Sequence, residues 1–164
     1  MTWPQVESGW EDQEAVPCSA VIFQFPLRIP AQAIDVNGHA NNVDAAIAHA
    51  EALGIAQAAN AAGATWVARS HHIEYLRPAF LDDELVVATW LTDLKKVGTT
   101  RKYLFVRKSD SAVIARGETH WVLVDIERGR PKSIPKEPPF STAPVASGHS
   151  PSVAEILHCI GASA

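Results

Sequence analysis

The stretch VDAAIAHAEALGIAQAANAA, residues 43–62, constrains the fold more than any other part of the chain, because ten of its twenty residues are Ala. Alanine has the highest helix propensity, so the stretch predicts one long helix. Asn41 or Asn42 supplies an N-cap, Asp44 places negative charge in the first turn, and Gly63 follows as the C′ residue. Ala on nearly every face leaves few bulky knobs. Such a helix can lie close against a sheet that curls around it, buried on most sides.

The rest of the pattern supplies that sheet. From Ala20 the run AVIFQFPLRI is strand-like, with Pro26 marking an edge or a bulge and Pro30 closing it. After the helix come TWVARSHHIEYL, ELVVATWLTDL, TTRKYLFVRKS and AVIARGETHWVLVDI, separated by turn signals at RPAFLDD, KKVG and SDS. The last run alternates, with Val113, Ala115, Gly117, Thr119 and Trp121 on one face. Connections among these four runs are short enough for antiparallel pairing of neighbours. One strand, one helix and four strands make an α+β layout.

A length of 164 residues fits one domain. Residues 1–19 read as a loose arm, 20–136 as the domain and 137–164 as a flexible tail in which SVAEILHCIGA forms a short amphipathic helix. The segment ERGRPKSIPKEPP reads as a basic, extended, solvated exit from the sheet. A net charge of -4 argues against nucleic acid, which is bound by clustered Lys and Arg. No apolar run approaches the ~20 residues of a membrane span, and the first twenty residues lack the basic and apolar regions of a secretory signal. Cys18 and Cys159 stand far apart with no Cys/His cluster, which gives no zinc site and no disulfide framework. A cytoplasmic, reduced protein with neither metal nor cofactor is expected.

The chemistry concentrates in DVNGHANN, residues 35–42, between the first strand and the helix. Asp, Asn and Gly favour turns, so loop and cap chemistry is the plain reading. The order of elements and three segments nevertheless make residues 20–136 resemble the hotdog-fold acyl-thioester hydrolases, in which a curved antiparallel sheet wraps one long central helix. DVNGHANN is similar to the Asp-x-x-Gly-His-x-Asn-Asn pattern of the 4-hydroxybenzoyl-CoA thioesterase-like branch. IEYLRPAFLDDELVV is similar to that branch's strand, Pro and Asp turn, and RGETHWVLVDIERGRPKSIP to its last strand and Arg-Pro exit.

The junction also resembles that of plant acyl-ACP thioesterases, on whose pattern Asp35, Asn37, His39 and Asn42 fall. Those enzymes carry an additional Glu and Cys where this chain has Pro78 and Ala79 after IEYLR, so a mechanism using that pair does not carry over. The 4-hydroxybenzoyl-CoA-like branch usually has a Tyr near Asp44, Ala45 and Ala46, which here leaves a wider or differently shaped pocket.

The resemblance implies an acyl-CoA or acyl-ACP substrate, no cofactor, and a homodimer or homotetramer with active sites at the shared interface. A carboxylate just before a helix can deliver water or attack a thioester carbonyl, while the free N–H groups of the first helical turn hold the oxyanion. Asp35 is accordingly the candidate general base or nucleophile, two roles the sequence does not separate. Asn37 and His39 would orient water, the acid or the carbonyl. Gly38, Asn41, Asn42 and Val43 form the oxyanion and substrate loop, where Gly38 admits close backbone approach and the asparagines serve chiefly as caps.

Glu51 is a second candidate acid, since another hotdog branch carries its catalytic carboxylate on the helix. That branch has a His-Gly-Gly turn where this chain has Asn42, Val43 and Asp44. Arg101, Arg128, Arg130 and Lys132 are candidates for the phosphates of coenzyme A or a phosphopantetheine arm. His49, His71, His72 and His120 have no metal-ligand spacing, although one of His71 and His72 must face inward on a strand. Ala45, Ala46, Trp66 and Phe80 are pocket candidates. Two alternatives stay open: a hotdog enoyl-CoA hydratase, whose Asp-x-Asn-Pro-x-His pattern differs at Gly38 and His39, and a non-catalytic acyl-binding module.

Overall fold

In the computed structural model, the described residues are 16–17, 21–29, 59, 61–136, 145–146 and 150–161. They form strands β1 (Val16–Pro17), β2 (Phe23–Arg28), β3 (Ala64–Tyr75), β4 (Glu84–Leu94), β5 (Gly98–Arg107) and β6 (Val113–Asp125), followed by helix α1 (Val153–Cys159). The strands make one six-stranded sheet in the order β1-β2-β4-β5-β6-β3, every neighbouring pair antiparallel. The sheet is curved. Register shifts at Ala68/Ser70, Leu91/Asp93 and Phe105/Val106 each insert a residue, which bends a strand and increases its twist.

Two expectations about pairing are corrected. The β3–β4 connection is not a hairpin: β3 pairs with β6 at the far edge, and the chain crosses the sheet end before entering β4. Leu76 and Arg77 both donate their N–H to Ile114 O at the start of this crossing (2.8 and 3.1 Å). Val113 does not share a face with Ala115. Opposite Phe105 and Val106 stand Ala115 and Val113, so Ile114 is the extra residue and flips the side chains before it.

Alternation then sorts the core. One face carries Leu27, Leu85, Val87, Tyr103, Phe105 and Ala115, packed with Ile29, Ala79 and Ile114. Farther along that face, Leu123 and Trp66 pack with Ala59, Ala64 and Ile134. Ala59 and Ala61 are helical, and Gly63 has φ +74°, the left-handed conformation of a C′ glycine. The body of the long helix, residues 43–58, lies outside the described residues. Pro26 sits beyond the two-residue reach of β1, where a missing N–H costs no ladder bond.

The opposite face carries Ala88, Trp90, Leu104 and Val106, covered by Ala146 and by Ile156 of α1. Helix α1 begins with a capping box, in which the Ser152 side chain accepts from Glu155 N while the Glu155 carboxylate accepts from Ser152 N. After β6 the exit is extended, but it is not wholly solvated: Ile134 is buried and its N–H donates to Lys96 O. Cys159 is disulfide-bonded, which corrects the expectation of reduced thiols; Cys18 lies outside the described residues.

Candidate active site

The sequence-predicted catalytic group falls outside the described residues: Asp35, Asn37, Gly38, His39, Asn41, Asn42, Val43 and Glu51 all do. The structure describes the frame around them. Ile29, six residues before Asp35, is 1% exposed and clamped to the turn before β4, donating to Asp83 O and accepting from Asp82 N (3.0 and 3.1 Å). At this end of the sheet β2 leaves and β4 begins.

A polar knot organises that end. Asp83 accepts from Phe80 N (2.9 Å) and from Arg107 Nη1 (3.1 Å), while Arg107 also donates to Asp110 Oδ1 and to Pro78 O. Burial works against the Arg107 charge, but the carboxylates of Asp110 and Asp83 outweigh it and hold its pKa above the ordinary value. The Ala112 N–H and then Arg107 hold the Asp110 carboxyl below its usual range. The turn is fixed as RPAFLDD because Asp83 caps its own backbone and Asp82 accepts φ +65°, a conformation Asp tolerates better than most residues.

Beside this knot the inner face of the sheet is apolar, floored by Tyr103, Phe105 and Ala115. Toward the middle it becomes polar. Thr119, fully buried, bonds His71 Nδ1 (2.8 Å), and Arg101 Nη1 donates to the buried Thr89 hydroxyl (3.2 Å). The His71 ring stands edge-on to Trp121, with centroids 6.3 Å apart. The indole N–H groups of Trp66 and Trp121 are buried with no hydrogen-bond partner among the described residues. Sequence reasoning put Thr119 and Trp121 on one face but missed the layer as a unit, because His71, Thr89, Arg101 and Thr119 come from four different strands.

His71 is the histidine that faces inward. His72 lies on the other face beside Glu74 (3.4 Å), and His120 bonds the Thr100 hydroxyl there (2.9 Å). The phosphate candidates do not form one group. Arg101 sits inside β5 on the inner face rather than in the turn before it. Arg128 and Arg130 lie in the exposed turn after β6, which the Asp125 carboxylate caps through the N–H groups of Glu127 and Arg128. Lys132 donates to Ala62 O (2.8 Å), where a cation suits the carbonyls that end a helix. Phe80 is exposed and Trp66 half-buried. No cluster of metal-ligating side chains occurs among the described residues.

A curved antiparallel sheet in this strand order, with a helical segment ending on its inner face, defines a hotdog-type thioesterase fold. Residues 29–146 match the Thioesterase-like superfamily, and the chain belongs to that family. YbaW, a probable thioesterase from Escherichia coli, superposes with a TM-score of 0.63 at 20% identity, covering 73% of this chain and 94% of that one. Slr0204, a 1,4-dihydroxy-2-naphthoyl-CoA thioesterase from Synechocystis, gives 0.63 at 18% identity over 74% and 94%. The 12:0-ACP thioesterase from Umbellularia californica gives 0.58 at 18% identity over 70% of this chain and 47% of that longer one. No curated relative matches in sequence. The resemblance read from the junction and strand motifs is thus borne out at the level of fold and family.

Proposed function

We propose that the protein hydrolyses an acyl thioester of coenzyme A or an acyl carrier protein to the free acid and thiol, with Asp35 as general base or nucleophile. The observation that carries this reading is the family match over residues 29–146, which contains the whole junction and strands β3 to β6. Asp35 activates water or attacks the carbonyl carbon, and the N–H groups opening the following helix stabilise the oxyanion. Asn37 and His39 orient the reacting groups. Gly38, Asn41, Asn42 and Val43 shape the loop, and Glu51 is the lesser candidate acid.

Strand β3 supports a homodimer as the working unit. It is twelve residues long, pairs only with β6 among the described residues, and leaves one full edge for a second copy. Release of free thiol from short, long and aromatic acyl-CoA substrates tests the activity. Comparing Asp35→Ala with Glu51→Ala shows which carboxylate matters: the reading predicts loss in the first and retention in the second.

A further inference from the structure

The cations of the sheet are unequally matched. Arg28 pairs with Glu84, Lys102 with Glu118, Arg107 with Asp83 and Asp110, and Arg116 with Glu74. At the end of the sheet formed by the β4–β5 turn, none of Arg69, Lys95, Lys96 and Lys136 makes an ion pair among the described residues. Lys95, Lys96 and Lys136 line a groove of about 640 Å³ with Leu94, Ile134 and Pro135. Arg69 and Lys95 line an adjoining cleft of about 360 Å³. The groove is rigid at its base, since Ile134 N donates to Lys96 O and Lys95 N to Gly98 O (both 2.8 Å). Of the acids nearest in the chain, Asp93 is engaged by Thr100 and Asp125 by its own turn, while Glu137, next to Lys136, lies outside the described residues.

We infer that this groove docks the acidic surface of an acyl carrier protein. The inference rests on the thioesterase reading and selects the carrier protein as a substrate. Lysines spread along an open groove with an apolar floor suit a broad field of carboxylates; a single phosphate calls for converging, fork-like donors. The chain as a whole carries -4, so the rest of its surface repels an acidic partner and orients it toward the unmatched cations.

The test is the charge reversal Lys95→Glu/Lys96→Glu/Lys136→Glu, with the milder Lys→Gln triple as a second variant that spares the fold. Binding of fluorescein-labelled holo acyl carrier protein is read by anisotropy, and turnover is compared on dodecanoyl carrier protein and dodecanoyl-CoA. Wild-type binding should weaken as ionic strength rises. The reversal should lower carrier-protein affinity by about tenfold or more, the neutral triple by less, and leave kcat/KM on dodecanoyl-CoA within about twofold. Equal losses on both substrates, unchanged carrier-protein binding in the reversal, or no binding by the wild type would overturn the inference. Holo carrier protein is not turned over, so failure of the thioesterase reading registers separately, as no thiol from either substrate.

Discussion

Arg107 shows how one side chain holds the end of the sheet where β2 leaves and β4 begins. Its guanidinium joins the end of β5 to the crossing segment through Pro78 O and to the turn through Asp83, and its side chain is 14% exposed. Arg107→Met keeps the stem and removes the charge, leaving Asp83 without its cation. The expected loss is about 2 kcal/mol in urea unfolding, the scale of a charged hydrogen bond removed from a half-buried partner. An unchanged midpoint would show that the knot contributes nothing. The sequence displayed the Asp82-Asp83 turn but not its arginine, because Arg107 lies 24 residues from Asp83 and nothing local joins them.

Exposed carboxylates make a smaller, pH-dependent contribution at the same scale. Glu74 is held below its ordinary value by Arg116, Glu84 by Arg28, and Asp125 by the Arg128 N–H. A folded pKa below the unfolded one adds stability that is present above the unfolded value and lost as pH falls through the folded one. For these groups stability should be level from neutral pH down to about 5 and decline below about 4. Urea midpoints measured across that range check it; a midpoint that rises on acidification would contradict the assignment.

At the scale of elements, composition made the strands readable. β4 and β6 fall within the β-rich runs, β3 and β5 each begin one residue before theirs, and Gly63 ends the Ala-rich segment with the φ its position called for. Pairing and faces were not readable. The β3–β6 partnership is set by packing across the whole sheet, and the bulge at Ile114 reversed Val113 with no turn residue to announce it. The loop proposed to be catalytic was legible only as a motif, and its residues fall outside those described. Helix α1 carries its own prediction: Ser152→Ala removes one half of the capping box and should cost about 1 kcal/mol. Hydrogen exchange should report it as faster opening of α1 with the β4–β5 amides unaffected. Equal acceleration throughout the sheet would mean that α1 is not a separable unit.

At the scale of the whole molecule, the curved sheet presents two unlike ends and one long edge strand, β3, that pairs only with β6 among the described residues. Arg107 knots one end, and the unmatched cations lie at the other. Antiparallel pairing of two copies along β3 would bring the Arg107 end of one beside the cationic end of its partner. The protein should therefore run in light scattering at twice the mass of a single chain. A monomer that retains full thioesterase activity would refute this arrangement.

The central claim is that Asp35 makes this fold a thioester hydrolase. It is tested most directly by continuous thiol release from an acyl-CoA panel with wild type and Asp35→Ala side by side, circular dichroism confirming that both are folded. The account predicts turnover by the wild type on at least one acyl group and a fall of about a thousandfold or more in the variant, as expected when a nucleophile or base is removed. A folded Asp35→Ala protein that releases thiol at the wild-type rate would contradict it.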